Sequence, residues 1–277
     1  MRISTTSGPI TGDIIVNAGT LRLENPISAT GTAINSVTNG RDIILNGGNL
    51  HVFSLLAHTA GVNSLLTVGQ QLSGELAGTI RVNADGFISN FINNGGNHTQ
   101  QRLGNLVLAD LGASTPITLT TSGNLTFTGT TTLGANNNVI SAGFNSNGRT
   151  ILQGAVSGGR LTKLGQGSLE FGSAANTFGT DGALGLDVYA TGRNEATSTV
   201  QSLVRSGTPF GAGDIVLNPG TVINLFDATN IASQEVRAKS DGYGLSGFVV
   251  GFNATQAQLV GLISAVPAAG KVSFEST

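Results

Sequence analysis

The chain has 277 residues, with 13 Lys and Arg against 15 Asp and Glu and no Cys, which excludes a disulfide framework, a thiolate metal site and a cysteine nucleophile. Its net charge of −2 and the lack of any basic run argue against electrostatic nucleic-acid binding. Charged residues make up only 10% while Gly reaches 41 and Asn 25, and 39% apolar residues is too many for a disordered chain.

From the amino terminus, Met1, Arg2 and Ile3 run straight into Ser4, Thr5, Thr6, Ser7, Gly8 and Pro9. The apolar stretch of roughly 7–15 residues that marks a secretory signal is not among them. No run approaches the roughly 20 apolar residues of a membrane helix, so no membrane span is expected in this chain. A phrase then appears at residues 13–21, where Asp13 opens the run Ile14, Ile15, Val16, and Asn17 and Gly19 precede Leu21. It returns at 42–50 with Asp42, Asn46 and Gly48, and in degenerate form at 79–87 with Asn83 and Gly86. A further copy lies at 214–222 with Asp214, Asn218 and Gly220. The β-branched run suits a short strand. The Asn and the later Gly are turn residues, since both tolerate positive φ. Alternation then resumes, as in Leu21 and Leu23 or Leu50 and Val52. Each phrase therefore predicts strand, tight bend, strand. The recurring Asp13, Asp42 and Asp214 read as strand-start devices.

Between the phrases a shorter unit recurs at Gly104, Gly123 and Gly167: Gly, a polar residue, Leu, then alternation. Helical spacing is confined to two places. One is 196–205, with Val200, Leu203 and Val204; the other is 254–264, behind Asn253 as an N-cap. The stretch 186–212 reads as an irregular excursion.

Short strands with Gly and Asn bends fit either an antiparallel sandwich or a solenoid. Phrase spacings of 29 and 37 residues, with the phrase itself retained, favour coils that carry insertions. Scarce charge agrees, because stacked coils put like side chains about 4.8 Å apart, where Asn, Ser and Thr do not repel and Asn can form ladders. The expectation is an all-β, single-stranded parallel β-helix (β-solenoid) of roughly 11–13 coils at about 20–25 residues each, with one or two short helical excursions. We expect residues 1–277 to form a single domain.

Residues 157–171 carry Gly159, Leu161, Lys163, Gly165, Gly167, Leu169 and Phe171, and Ala175, Asn176, Thr177 and Phe178 come soon after. This stretch resembles the passenger-associated transport repeat of bacterial autotransporter passengers. That repeat typically reads Gly-Gly-Leu-Thr-Lys-x-Gly-x-Gly-x-Leu-x-Leu and then Ala-Asn-Thr-Tyr, so Phe178 stands in place of the usual Tyr. The phrase from Gly211 to Thr221 is similar to the continuation of the same pattern. The clearest likeness covers residues 150–226; the segments around Asn230 and Tyr243 are similar to segments downstream of such repeats in large bacterial surface proteins. The resemblance implies a right-handed parallel β-helix, exported and displayed at the cell surface or released. It implies no catalytic residues. The family's outer-membrane barrel is not in this chain, so the expectation is a segment of a longer surface protein whose partners are its own flanking segments, or a relative anchored in another way.

Catalysis is not expected from the residues either. Polysaccharide-degrading β-helices gather carboxylates about 5–10 Å apart, and here no two acidic residues lie within three positions of one another. A surviving cluster would draw on Asp181, Asp187, Tyr189, Arg193 and Glu195. His51, His58 and His98 lack metal-ligand spacing, so neither metal nor cofactor is expected. Sugar binding through aromatic platforms is disfavoured by zero Trp and two Tyr, and Phe127 and Phe171 read as core. The expectation is a non-enzymatic stalk. The alternatives are an adhesin whose outward loops contact a host or neighbouring cell, and a polysaccharide-degrading enzyme.

Overall fold

The computed structural model describes residues 1–4, 10–25, 40–54, 76–92, 101–109, 116–143, 148–190, 198–225, 234–240, 248–251 and 271–276. Every regular element among them is a strand, and the strands pair in parallel into two sheets. The first sheet has eleven strands in sequence order: Arg2–Ser4, Thr20–Asn25, Asn49–Ser54, Gly86–Ile92, Ile117–Ser122, Asn138–Ser141, Leu161–Leu164, Leu184–Val188, Asp214–Leu217, Glu235–Ser240 and Lys271–Ser276. The second sheet runs through Ile14–Val16, Ile43–Leu45, Leu76–Val82, Gln101–Leu108, Leu125–Phe127, Arg149–Leu152, Ser168–Phe171, Ser198–Ser202, Thr221–Leu225 and Phe248–Gly251. Two further short strands, Thr131–Thr132 and Val156–Ser157, lie off this path. The chain visits the sheets alternately, so each circuit stacks on the last. This is a β-solenoid, and its eleven passes through the first sheet agree with the expected coil number.

The sequence alternation sets which side chains face in. In Ile14–Val16 the outer two residues are buried and Ile15 is exposed, as two-residue periodicity requires. In-register pairing turns these residues into columns. Leu21, Leu50 and Ile88 form one inner column, while Leu119, Ile140, Lys163, Val188 and Leu217 form another. The buried apolar members join in a single continuous core.

The strand Gln101–Leu108 divides the second wall. Leu106 and Val107 pair with Ile80 and Arg81 on one side and with Thr131 and Thr132 on the other. Its other end, from Gln101 to Leu103, pairs with Leu125–Phe127. The inner column Ile14, Ile43, Ile80 and Leu106 therefore continues into Thr131 and Val156. Beside it runs a second column of Leu103, Phe127, Leu152 and Phe171. After this strand the coils have an additional short wall.

Two expectations change. Residues 198–202, read as part of a helix, are a strand paired to Ser168–Phe171 and Thr221–Leu225, with bends beyond it. Ser198, Val200 and Ser202 face inward at two-residue spacing, with Val200 between Leu169 and Ile223. One apolar column with β-branched Thr199 and Val200 suits a strand better than a sparse helical stripe. Of the stretch 186–212, residues 186–188 and 198–202 belong to the sheets and 203–212 runs through bends and turns, while 191–197 lies outside the described residues, as does the helix expected at 254–264.

Candidate functional site

The phrase residues join one coil to the next. Asn46 donates through Nδ2 to Asn17 Oδ1 at 2.9 Å, and Asn83 donates to Asn46 Oδ1 at 2.9 Å, a three-rung amide ladder on the outside of the stack. Asp42 Oδ1 accepts Thr79 N at 2.9 Å and Asp13 Oδ1 accepts Asp42 N at 3.3 Å. The strand-start Asp is therefore a bracket for the main chain of the next coil. Gly19 holds a φ of +72°, whereas Gly48 is required by contact: a Cβ there would meet Val16 Cγ1 at 2.4 Å. Gly86 sits on Gly48 O, its own Cβ position 3.3 Å away.

The copy at 214–222 sits at a different corner. The earlier phrases pass from the second sheet to the first, but Asp214–Leu217 lies in the first sheet and Thr221–Leu225 in the second. Asp214 keeps its role, accepting Glu235 N at 3.1 Å. Asn218 does not join the amide ladder. It is buried and donates to Asp187 Oδ1 at 2.8 Å and Val188 O at 2.9 Å, with Gly220 turning the chain at φ +78°.

The motif at 157–178 wraps one corner and ties it to both neighbouring coils. Lys163 has Leu161's orientation and points into the solenoid, fully buried between Ile140 and Val188 in its column. Its Nζ donates to Gly165 O and Gly167 O at 2.6 Å each and to Ser198 Oγ of the next coil at 2.5 Å, so all three donors of an ammonium are used. Burial lowers its pKa to about 7. The glycines let this corner lie directly on the coil before it. A Cβ on Gly165 would fall 2.3 Å from Ala142 O, on Gly167 2.2 Å from Gly148 O, and on Gly159 2.4 Å from Ala135 O. Leu161, Leu169 and Phe171 fill the core, where Phe171 stacks on Phe178 with ring centres 5.6 Å apart and meets Phe210 edge-on at 5.7 Å. Asn176 reaches both ways, accepting Val156 N at 2.8 Å and donating to Pro209 O at 2.6 Å.

Charged groups sit on the outer faces as pairs. Arg149 grips Glu170 with two bonds, of 2.7 and 2.6 Å, and Ser168 Oγ adds a third to the same carboxylate. Arg160 pairs with Asp187 at 2.7 Å, and Arg237 lies 3.5 Å from Asp214. Of the residues considered for a catalytic cluster, Asp187 and Tyr189 share this face, Asp181 is exposed on a turn, and Arg193 and Glu195 lie outside the described residues. His51 Nδ1 is 3.2 Å from Ser89 Oγ, and His58 and His98 also lie outside the described residues. The outer-face pairs are not legible in the sequence, since each partner is contributed by a different coil, 21 or 27 residues apart. No family model, curated protein or solved structure matches the chain.

Proposed function

We propose that this chain is a non-enzymatic β-helical stalk, an exported passenger-type segment of a bacterial surface protein that holds other segments away from the cell. One observation carries the reading: the residues of the repeat motif are used for coil-to-coil joining. Lys163 and Asn176 point into or across the stack, and the glycines at 159, 165 and 167 press main chain on main chain. The described acidic groups at Asp13, Asp42, Asp85, Glu170, Asp187 and Asp214 accept main-chain N–H groups or ion-pair partners, the state of carboxylates that brace a fold. The mechanism is mechanical. Each finished coil presents a row of main-chain donors and acceptors to the next, so folding propagates from a formed edge and draws chain forward as it is delivered. Absence of Cys suits a chain moved through a pore before it folds.

The test places the chain between a cleavable leader and an outer-membrane β-barrel in a Gram-negative bacterium, with an epitope tag at its amino end. Antibody labelling of intact cells is expected, together with protease resistance of the displayed chain. A tag reached only after lysis would overturn the proposal.

A further inference from the structure

The bend Asn of the four phrases is followed in turn by Ala18, Gly47, Ala84 and Pro219, so Asn46 alone among them has a glycine behind it. Asn46 and Gly47 are both exposed, and Gly47 holds a φ of +98°. A glycine has no Cβ to shield its main-chain nitrogen or to restrict rotation of the bend. That nitrogen can approach the side-chain carbonyl carbon of the preceding Asn and close a five-membered ring. Ala18 and Ala84 hinder the same approach with a methyl group, and Pro219 has no N–H to give up.

Asn46 is also the middle rung of the amide ladder. Its Nδ2 donates to Asn17 Oδ1 and its Oδ1 accepts Asn83 Nδ2, each at 2.9 Å. Both bonds run along the stack toward neighbouring coils, whereas Gly47 continues round its own coil. The carboxamide must therefore leave its partners before it can turn to Gly47 N. Sequence makes this bend the most reactive of the four, and the ladder restrains it.

We propose that Asn46–Gly47 is a self-modification site, and that its rung to Asn17 sets the pace of the reaction. The Gly47 nitrogen gives up its proton to hydroxide and bonds to Asn46 Cγ. The bond from Cγ to Nδ2 breaks, and Nδ2 takes a proton from water and leaves as ammonia. Water then opens the resulting succinimide, either at Cγ to leave an aspartate or at the main-chain carbonyl to leave an isoaspartate. Water is the only co-reactant. Either product spoils the rung, because a carboxylate still accepts from Asn83 but faces Asn17 Oδ1 acceptor to acceptor. Isoaspartate also adds a main-chain carbon to a bend whose next residue, Gly48, already lies against Val16. The solenoid thus carries a clock in its first coils, since the ladder that joins them is unmade by its own middle rung. The chemistry does not depend on where the protein is displayed.

The test holds the purified, folded chain in warm, mildly alkaline buffer and samples it over time. Mass spectrometry of tryptic peptides, with fragmentation, reads the amide-to-acid mass gain at each Asn, and enzymatic methylation of isoaspartate identifies the rearranged product. Wild type is expected to convert at Asn46 ahead of Asn17, Asn83 and Asn218. Asn17→Ala removes one rung bond at an exposed position. It is expected to speed conversion at Asn46 by about two- to tenfold, the factor that one hydrogen bond of ordinary net strength represents, with the rates at Asn83 and Asn218 unchanged. An Asn46 that keeps its amide as long as Asn17 and Asn83 do, or an unchanged rate in Asn17→Ala, would overturn the proposal. So would an acceleration shared by Asn83 and Asn218, which marks loosened coils and not a freed rung. Because the measurement uses purified chain, its failure leaves the display result standing, and the reverse.

Discussion

The coils before and after Gln101–Leu108 tie the same kind of corner in different ways. In the first group the ties are on the outside: neutral amides at Asn17, Asn46 and Asn83, and Asp brackets on the next main chain. In the second group an exposed bracket persists at Asn124 on Arg149 N, but further ties are shielded from water: Lys163 inside the stack, Asn176 and Gln234 across it, and the Glu170 and Asp187 carboxylates buried under their Arg partners. Exposed ties can exchange with water and so contribute modestly, whereas a buried polar group that loses its partner bears the whole desolvation cost. The difference teaches that a solenoid can be uniform in its main chain while its stability is concentrated in the coils where polar ties are buried.

The largest expected effect lies in the second group. Phe171→Ala empties the centre of the Phe171, Phe178 and Phe210 cluster and is expected to cost about 3–5 kcal/mol, read from the urea midpoint of the purified chain. A cost under about 1 kcal/mol would show that these coils are not anchored by their aromatic core.

Lys163 gives the comparison a pH signature. Its pKa is about 7 folded against 10.5 for the free side chain. Between those values the unfolded chain holds a proton that the folded chain has released, so stability rises with pH across that window and is level below it. The elements packed round it turn Ile140, Val188, Leu169 and Val200 inward, while Glu170 and Asp187 project from the opposite side of their strands. The neutral amine keeps its network, donating to the two carbonyls and accepting from the Ser198 hydroxyl. Wild type minus Lys163→Met is expected to show a rise of at most about 1.4 kcal/mol per pH unit from pH 7 toward 10. Parallel curves for the two proteins would count against a buried, proton-releasing lysine.

Asn218 and Asn46 occupy the same place in the phrase and sharpen the contrast further. Asn218→Ala removes a donor from the buried Asp187 carboxylate and is expected to cost about 1–3 kcal/mol. Asn46→Ala breaks two solvent-facing bonds and is expected to cost about 0.5–1.5 kcal/mol. Equal losses would mean that burial does not separate the two regions.

Much of this architecture is legible in residues 13–21 and 42–50, because the short apolar runs Ile14–Val16 and Ile43–Leu45 suit strands and Asn and Gly mark each bend. The amide ladder arises from the same repetition. Which wall a phrase occupies is not legible, since strand, bend, strand reads alike at either corner; only pairing sets Asp214–Leu217 in the first sheet and Ile43–Leu45 in the second. The inward course of Lys163 is not legible, because lysine rarely faces inward and its carbonyl cage exists only once Gly165 and Gly167 have turned the corner. The strand Ser198–Ser202 is hidden by serines at its inward positions, where apolar residues are the usual signal.

The ladder itself offers the smallest and most specific test. Asn46 N bonds Val16 O, Asn83 N bonds Leu45 O and Ala109 N bonds Val82 O, so Ala109 is the fourth position in the same series but has no amide. The ladder accordingly stops with Asn83 Oδ1 shielded from solvent and, among the described residues, without a partner. Ala109→Asn is expected to donate to that oxygen and extend the ladder into the dividing strand's coil, a gain of about 0.5–1.5 kcal/mol in urea. Ala109→Asp has nearly the same shape but opposes a carboxylate to the Asn83 oxygen, so it is expected to destabilise. Only a hydrogen-bonded series makes these two near-isosteric changes differ in sign; a shared gain or a shared loss would reduce the ladder to a by-product of stacked turns.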